Sequence, residues 1–270
     1  MTLPRILAIG GSDSGGGAGI EADIKTITVL GGYAMTAITA VTAQDTMSIQ
    51  ALAPVPPHVV NLAIRMVIAD LGVDAVKIGM LGSTSMVDAV VGALARGPDV
   101  LPIVLDPVLA STSGTALLDE TATTAMLRDL MPIVALITPN RHEAATLAGV
   151  PVATHAEAIV AARILCERGA RAVLVKGGHF EGNDVVDHLV TRDLVTSFRK
   201  SRIETRHTHG TGCTLASAVA VGLGCGLSLS DAIGCAQDFL QKALRAAPGF
   251  GAGHGPMGHA AAMKLSIPPA

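Results

Sequence analysis

Short runs of consecutive apolar residues alternate with longer segments of helical periodicity along most of the chain. Runs such as Ile6-Leu7-Ala8-Ile9 and Ile103-Val104-Leu105 are typical of strands buried on both faces of a sheet. We predict strands at residues 6–9, 37–42, 75–78, 103–105, 133–137 and 172–175. Between them apolar residues recur every three or four positions, and we predict helices at residues 20–30, 57–71, 83–96, 119–130, 141–148, 156–168, 211–224 and 229–246. Repeated strand–helix units of these lengths predict a mostly parallel sheet covered by helices on both faces.

Two segments depart from this alternation. Residues 184–204 carry paired apolar residues on either side of Thr191-Arg192-Asp193, a pattern that predicts a hairpin or an antiparallel edge. Residues 26–44 contain no charged side chain and have the length of a membrane span. However, Gly31-Gly32 divides this segment, and helical spacing before the glycines gives way to β-branched residues after them. We therefore predict a helix, a turn and a strand here.

Composition narrows the class of protein. The 270 residues are 50% apolar but only 2% aromatic, which predicts one large α/β domain packed by aliphatic side chains. The 19 basic and 22 acidic residues nearly cancel and form no basic cluster with interleaved aromatics, so we expect no nucleic-acid partner. Cys166, Cys225 and Cys235 are expected to be buried thiols, and none of the four cysteines forms a CxxC pair. With no signal-peptide pattern at the start, we expect a cytoplasmic protein without a membrane partner.

Two glycine-rich segments are candidate ligand sites. Residues 10–19 come directly after the first predicted strand, so they lie where open α/β sheets bind ligands, but they lack the lysine of a Walker A loop. His207-Thr208-His209-Gly210-Thr211-Gly212-Cys213-Thr214 opens a helix, and a helix N-terminus with exposed N–H groups binds anions. The same field is expected to favour the thiolate of Cys213. Alternatively, the two glycines only make a turn and Cys213 is a small core residue.

Polar residues come directly after three of the predicted strands. Asp106 ends one strand, Thr138-Pro139-Asn140 with Glu143 comes after the next, and Lys176-Gly177-Gly178-His179 after a third. Carboxylate and amide oxygens can hold Mg2+, and a lysine can neutralise a transferring phosphate. These residues are those of a kinase without a Walker motif. Asn140 is equally well suited to cap a helix, with Glu143 in the capping-box position.

Seven segments in matching order, over residues 5–245, closely resemble the hydroxymethylpyrimidine/phosphomethylpyrimidine kinase family of thiamin biosynthesis, within the ribokinase-like superfamily. The segments are Gly11-Ser12-Asp13-Ser14-Gly15-Gly16-Gly17-Ala18-Gly19, Thr42-Ala43-Gln44-Asp45, Lys77-Ile78-Gly79-Met80-Leu81, Asp106-Pro107-Val108, Thr138-Pro139-Asn140 with Glu143, Lys176-Gly177-Gly178-His179 and His209-Gly210-Thr211-Gly212-Cys213. The resemblance implies a three-layer αβα sandwich with a mostly parallel central sheet, formed by residues 1–270 as a single ribokinase-like kinase domain. It also implies ATP and Mg2+, and two successive phosphorylations of 4-amino-5-hydroxymethyl-2-methylpyrimidine.

The resemblance further implies a role for twelve residues. The catalytic set is Cys213 with Gly210, Thr211 and Gly212 as the anion hole and Lys176 at the transferring phosphate. Asp106, Asn140 and Glu143, with Lys176 and Thr211, are implied to bind Mg-ATP, and Asp106 and Glu143 to hold the metal. Gln44, Gly11, Asp23 and Met80 are implied to line the pyrimidine pocket.

Some of these residues have a simpler alternative interpretation. Gln44 suits an aminopyrimidine because an amide both donates and accepts, but it is also a plausible cap at a strand end. Asp23 is alternatively a helix-surface residue, Met80 a core residue, and His209 a polar residue of the turn. Most ribokinase-like sugar kinases carry aspartate at the position of Cys213. The general-base mechanism of those kinases therefore does not carry over directly to this chain. Our hypothesis is that a neutral thiol, unlike a carboxylate, does not repel a substrate phosphate.

Other functions remain open at this point. A pyridoxal or pyridoxine kinase shares the fold and the cysteine, and a non-catalytic ligand-binding module would keep the fold without the chemistry. A Rossmann dehydrogenase is disfavoured, because the only GxGxxG, at residues 253–258, comes after no strand and contains Pro256. The family is typically dimeric, and the apolar second strand with its neighbours is a candidate interface.

Overall fold

A computed structural model of the protein describes residues 3–95, 97, 101–110, 114 and 117–262. Its strands are β1 Arg5–Gly10, β2 Tyr33–Ile38, β3 Ala40–Gln44, β4 Ile49–Pro54, β5 Ala75–Ile78, β6 Ile103–Leu105, β7 Leu136–Ile137, β8 Ala172–Val175, β9 Asp184–Thr191 and β10 Val195–Ser201. Eight of them form one sheet in the order β10-β9-β8-β7-β6-β5-β1-β2. The six strands from β8 to β2 in this order are parallel, and β9 and β10 add an antiparallel edge. Both the parallel sheet and the antiparallel edge predicted from the sequence are confirmed.

Helices cover both faces of this sheet. They are α1 Gly19–Val29, α2 Pro57–Asp70, α3 Thr84–Leu94, α4 Glu120–Ala125, α5 Arg141–Ala148, α6 His155–Glu167, α7 Thr211–Gly224, α8 Leu229–Arg245 and α9 His259–Ala262. Alternate side chains of β1 point to opposite faces. Ile6 packs in a cluster with Val219 of α7, whereas Leu7 packs in a second cluster with Val87 of α3. The result is the predicted three-layer αβα arrangement.

The segment 37–42, predicted as one strand, is divided between two strands, because the chain leaves the main sheet at Thr39. The backbone N–H of Thr39 donates to Gly10 O at 2.9 Å and its hydroxyl donates to Met80 O at 2.6 Å. Strand β2 therefore ends at Ile38, and β3 pairs instead with β4 in a separate antiparallel hairpin. Strand β4 escaped prediction because nearly all of its side chains are exposed, so it lacks a buried face.

The predicted strand at residues 133–137 is also shortened. Helix α4 continues as a π-helical turn, Met126–Leu130, and a 3-10 turn, Met131–Ile133, so that β7 begins only at Leu136. Residue 96, the predicted end of the third helix, lies outside the described residues. In the segment 26–44 the predicted helix end and turn are present, and they are followed by two strands, β2 and β3, instead of one. In the described part of the chain we find no helix of the length and apolarity that a membrane span requires.

Candidate active site

A cleft of about 870 Å³ opens at the carboxyl edge of the parallel strands. All of the residues predicted for the site contribute to its lining: Gly11, Asp23, Gln44, Met80, Asp106, Asn140, Glu143, Lys176, Gly210, Thr211, Gly212 and Cys213. Parallel strands end at one edge of a sheet, which is why residues from the ends of separate strands meet there. The structure therefore brings the predicted residues into one site, while their roles stay predictions.

The turn before α7 has the geometry of an anion site. Gly210 caps the helix with φ +83°, and a Cβ added there would lie 1.9 Å from the carbonyl oxygen of Gly17. Only glycine fits this position, and it brings the turn against the glycine-rich loop. The N–H groups of Gly212 and Cys213 lie in the first helical turn and have no intrahelical acceptor. The turn thus offers amide donors and the positive end of a helix dipole to the cleft.

A lysine–carboxylate pair lies directly against this turn. Lys176 Nζ donates to Asp106 Oδ1 at 2.7 Å and lies 3.9 Å from Glu143 Oε2. A Cβ on Gly212 would be 3.1 Å from both Lys176 Nζ and Asp106 Oδ2. The cation, the two acids and the anion turn therefore form one cluster.

Asn140 and Glu143 form a complete capping box at the start of α5. Asn140 Oδ1 accepts from the backbone N–H of Glu143 at 2.9 Å, and Glu143 Oε2 accepts from the backbone N–H of Asn140 at 2.7 Å. The helix-cap interpretation of Asn140 is confirmed, and its contact with Mg-ATP stays a prediction. Burial, together with the charge of Asp106, raises the pKa of Glu143 to about 7, although Lys176 opposes the shift.

The donor set of this cluster fits Mg2+. Within the described ranges, no three His, Cys, Asp or Glu side chains converge as a protein-only metal centre. Mg2+ usually binds through one or two carboxylates together with substrate phosphates and water, so it needs no such centre. Asp106 and Glu143 are both buried, flank Lys176 and line the cleft. Carboxylate oxygens are the hard ligands that Mg2+ prefers, so the residues present fit this metal.

Cys213 lies in the first turn of α7, but its thiol is a weak acid. Burial raises the pKa of Cys213 to about 11, and Lys77 opposes the shift only in part. The prediction that the helix field favours the thiolate is therefore wrong for the free protein, because desolvation outweighs it. At neutral pH the thiol is uncharged.

A fully buried ion pair lies beside Cys213. Lys77 Nζ donates to Asp23 Oδ2 at 2.8 Å, and the hydroxyl of Ser217 donates to Asp23 Oδ1 at 2.7 Å. Burial lowers the pKa of Lys77, but the charge of Asp23, its hydrogen bond with Lys77 and the charge of Asp106 act in the opposite direction and leave the pKa above its ordinary value. Asp23 is thus not a helix-surface residue. The sequence signal that we missed is a lysine inside a strand predicted to be buried.

Gly11, Met80 and Gln44 form another part of the lining of the cleft. A Cβ on Gly11 would lie 2.4 Å from Met80 Cε, so the glycine makes room for the methionine side chain. Met80 is partly exposed in the cleft rather than a core residue. The side-chain amide of Gln44 also lines the cleft, 3.3 Å from His209 Nε2.

Two residues of this part of the cleft escaped prediction. His209 lies in the turn, as predicted, but it is buried, and its Nε2 lies 2.8 Å from Asp13 Oδ2. Asp13 belongs to the glycine-rich loop, and no pattern in the sequence connects two residues so far apart. Among the cysteines, Cys225 and Cys235 are exposed, so the expectation that they are buried is wrong.

The fold and this cleft define a phosphotransferase of the ribokinase-like class. Residues 13–258 match the sequence model of the family described as "Phosphomethylpyrimidine kinase". The chain belongs to this family. It is 43% identical over 256 residues to the hydroxymethylpyrimidine/phosphomethylpyrimidine kinase of Rhizobium meliloti, covering 94% of this chain and 96% of the relative.

Two of the solved structures to which the protein is similar bear on its substrate. The phosphomethylpyrimidine kinase of Clostridium difficile 630 superposes with a TM-score of 0.78 at 33% identity, over 89% of this chain and 99% of that chain. The pyridoxal kinase of Staphylococcus aureus in complex with AMP-PCP and pyridoxal gives a TM-score of 0.88 at 29% identity, over 97% of this chain and 95% of that chain. The fold is shared by both enzymes, so the substrate has to be argued from the cleft.

Proposed function

We propose that the protein transfers the γ-phosphoryl group of ATP to 4-amino-5-hydroxymethyl-2-methylpyrimidine and then to the resulting monophosphate, in thiamin biosynthesis. The observation that carries this proposal is the contact of the anion turn with the Lys176–Asp106 pair, in the cleft that also holds Gln44 and Met80. The name of the Rhizobium meliloti relative, which includes both activities, supports it.

At the donor end, the chain supplies fixed positive charge. Lys176 and the N–H groups of Gly212 and Cys213 stabilise the negative charge on the phosphoryl group during transfer. Asp106 keeps Lys176 Nζ in place through the 2.7 Å hydrogen bond. Asp106 and Glu143 would hold Mg2+, which would neutralise phosphate charge. Asn140 and Thr211 complete the proposed surface for the nucleotide.

At the acceptor end, Gln44 forms hydrogen bonds with the pyrimidine ring, and Gly11, Asp23 and Met80 complete the pocket. The amide of Gln44 can donate to a ring nitrogen and accept from an amino group. Both carboxylate oxygens of Asp23 already accept hydrogen bonds from the protein, one from Lys77 and one from Ser217. Asp23 therefore acts on the substrate through the electrostatic field of its ion pair with Lys77.

Both transfers break the bond between the γ-phosphorus and the bridging oxygen as an acceptor oxygen bonds to that phosphorus. In both transfers ADP leaves with the bridging oxygen. In the first transfer the alcohol also loses its proton, which passes to water, whereas in the second the acceptor is an already ionised oxygen of the monophosphate and loses none. With a pKa of about 11, Cys213 is neutral and does not repel the incoming phosphate. A neutral thiol therefore suits a cleft that accepts both an alcohol and a phosphate.

A pyridoxal kinase is the second candidate, favoured by the structural similarity to the Staphylococcus aureus enzyme. The test compares kcat/KM for the hydroxymethylpyrimidine, its monophosphate and pyridoxal, with ATP and Mg2+ present. We expect the two pyrimidines to be preferred. Preference for pyridoxal, with no diphosphate formed, would contradict the proposal, and absence of any transfer would favour a binding module.

We also propose a homodimer, a single domain and a cytoplasmic location. Large apolar side chains on β2, β3, β4 and α2 are exposed, and they form the candidate interface: Tyr33, Ile38, Val41, Leu52, Val59, Leu62 and Met66. Eight strands, from β1 at residue 5 to β10 ending at residue 201, share one sheet, and α7 packs back on β1, β5 and β6, which supports one domain over residues 1–270. All four cysteines are free thiols, which supports a reducing compartment.

A further inference from the structure

The loop that follows β8, at residues 177–182, is held by an arginine from the end of β10. Arg202 Nε donates to Gly182 O at 2.7 Å, and Arg202 Nη1 donates to Gly178 O at 3.0 Å. Arg202 Nη2 donates to Phe180 O. A guanidinium is planar and presents its N–H groups in a rigid fork. One side chain therefore fixes three carbonyl groups of the loop.

The start of the same loop is tied to β9. The backbone N–H of Gly177 donates to Asp187 Oδ1 at 2.7 Å, and a Cβ on Gly177 would lie 2.1 Å from Val186 O. Farther along, the side chain of Phe180 is buried. The loop is thus fixed to the sheet at its first residue and to Arg202 over the rest of its length.

The loop and Arg202 belong to the donor end of the cleft. Gly178, His179 and Arg202 all contribute to its lining, together with Lys176, which directly precedes the loop. The ring of His179 lies 5.5 Å from the ring of His142, in the first turn of α5. The conformation of the loop therefore shapes the wall of the cleft next to Lys176.

Arg202 also brings positive charge to this wall. Its three hydrogen bonds go to carbonyl oxygens and not to a carboxylate, so no hydrogen-bonded acid neutralises the guanidinium. Burial lowers the pKa of His179, and the charges of Lys176 and Arg202 lower it further. Positive charge in a cleft attracts an anionic ligand such as a nucleotide.

We propose that Arg202 is a positioning residue for the nucleotide, which keeps the loop 177–182 ordered before ATP binds. This inference rests on the proposed function, in which Lys176 and the anion turn receive the phosphates of ATP. A loop without these three hydrogen bonds has to be ordered during binding, and this ordering costs affinity. Once the nucleotide is bound, the loop is ordered in either case. Arg202 should therefore affect the affinity for the nucleotide much more than kcat.

The test compares two substitutions of Arg202. Arg202→Met removes both the charge and the donors, whereas Arg202→Lys keeps the charge without the fork. We expect Arg202→Met to raise the Kd for ADP, measured by calorimetry with Mg2+ present, by about tenfold. The KM for ATP should rise by a similar factor, while kcat stays within about twofold of the wild-type value.

Arg202→Lys separates positioning from charge. An ammonium group cannot hold three carbonyl groups in a fixed geometry, so this variant should recover little of the lost affinity. If Arg202→Lys binds ADP as tightly as wild type does, the charge alone is responsible and the positioning role is wrong.

Arg199 on β10 provides the matched control. It is exposed, its Nη1 lies 2.6 Å from Asp184 Oδ2, and it lies outside the lining of the cleft. Arg199→Met should leave the Kd for ADP and the KM for ATP unchanged. If Arg202→Met keeps the wild-type Kd, or if Arg199→Met loses as much affinity, the inference is wrong.

Hydrogen exchange of the loop gives a readout that does not depend on activity. The N–H of Phe180 donates to Gly177 O at 3.1 Å, so this amide should be protected in the nucleotide-free wild type. We expect it to exchange at least about tenfold faster in Arg202→Met and Arg202→Lys, and ADP should restore its protection. An unprotected Phe180 amide in the wild type would overturn the inference, even if no variant folds.

The two proposals fail in different ways. A wild-type protein that binds ADP but does not phosphorylate the pyrimidine would overturn the proposed function, while the ADP affinities of the Arg202 variants still decide the positioning role. A wild-type protein that binds no ADP would overturn both.

Discussion

Cys213 is the residue on which the two-step proposal depends most. Replacing it by aspartate would place a carboxylate among Asp23, Asp106 and an incoming phosphate. We expect Cys213→Asp to slow the phosphorylation of the monophosphate at least tenfold more than that of the alcohol, because only the former brings a charged acceptor to the carboxylate. The rates of the two steps, measured separately, check this.

The control for this substitution is Cys225→Asp, because Cys225 is exposed at the end of α7. It should leave both rates near their wild-type values. If Cys213→Asp slows both phosphorylation steps equally, the hypothesis that a cysteine is present because it is uncharged is wrong.

Glu143 gives the protein a specific pH dependence. Its pKa is raised by burial from 4.5 to about 7, so the folded state holds its proton more tightly than the unfolded state between these values. Stability contributed by Glu143 is therefore lost as the pH rises through this window. Relative to wild type, Glu143→Gln should gain stability between pH 5 and pH 8, by about 3 kcal/mol at most. Denaturant unfolding at the two pH values measures this difference.

Glu157 is the matched control, because it occupies the same capping-box position in α6. The N–H groups of Ala153 and Thr154 lower the pKa of Glu157. Glu157→Gln should therefore show no gain as the pH rises. If the difference in unfolding free energy between Glu143→Gln and wild type is the same at pH 5 and pH 8, the pKa of the Glu143 carboxyl is ordinary and this prediction is wrong.

Among the secondary-structure elements, α7 matters most for the site, because the conformation of its N-cap, Gly210, sets the geometry of the anion turn. Gly210 and Gly226 have the same φ of +83°, but only Gly210 has a neighbour, Gly17 O, at the position of an added Cβ. We expect Gly226→Ala to cost about 1 kcal/mol, for the backbone conformation alone. Gly210→Ala should cost at least about 2 kcal/mol more, since it pushes two backbones apart, and should abolish transfer.

The measurements are the unfolding free energy and the kcat of Gly210→Ala and Gly226→Ala. If both variants lose the same stability and Gly210→Ala stays active, the turn does not need the contact with the glycine-rich loop. The assignment of the α7 entry to the site would then be wrong.

The elements differ in how well the sequence predicts them. Strands such as β1 and β6 are buried on both faces, so their apolar runs are visible, and the position of Asp106 is set by the end of β6. Strand β4 and its pairing with β3 are not predicted, because β4 is exposed along nearly its whole length and has no such run. The pair of Asp13 and His209 was missed because it depends on tertiary contact between two loops. Local pattern thus predicts the residues at the end of a strand, but not the residues that contact them from another loop.

For the whole molecule, the exposed apolar surface predicts a dimer. Leu62 lies on α2 in one helical stripe with Val59 and Met66, and 53% of its surface is exposed. A patch of this kind is typical of an interface. We expect a wild-type dimer in sedimentation velocity, and Leu62→Glu should shift it to the monomer because a buried interface does not accept an unpaired charge.

Val160 on α6 is 52% exposed and lies outside this surface, so Val160→Glu is the control and should remain dimeric. A monomeric wild type, or a Leu62→Glu variant that still sediments as a dimer, would contradict the proposed interface.

The central claim is that one cleft carries out two successive phosphoryl transfers. The direct measurement is a time course of products from the hydroxymethylpyrimidine with γ-labelled ATP and Mg2+. We predict that the monophosphate accumulates first and then declines as a doubly labelled diphosphate appears. A reaction that stops at the monophosphate, or that proceeds only with pyridoxal, would contradict this claim.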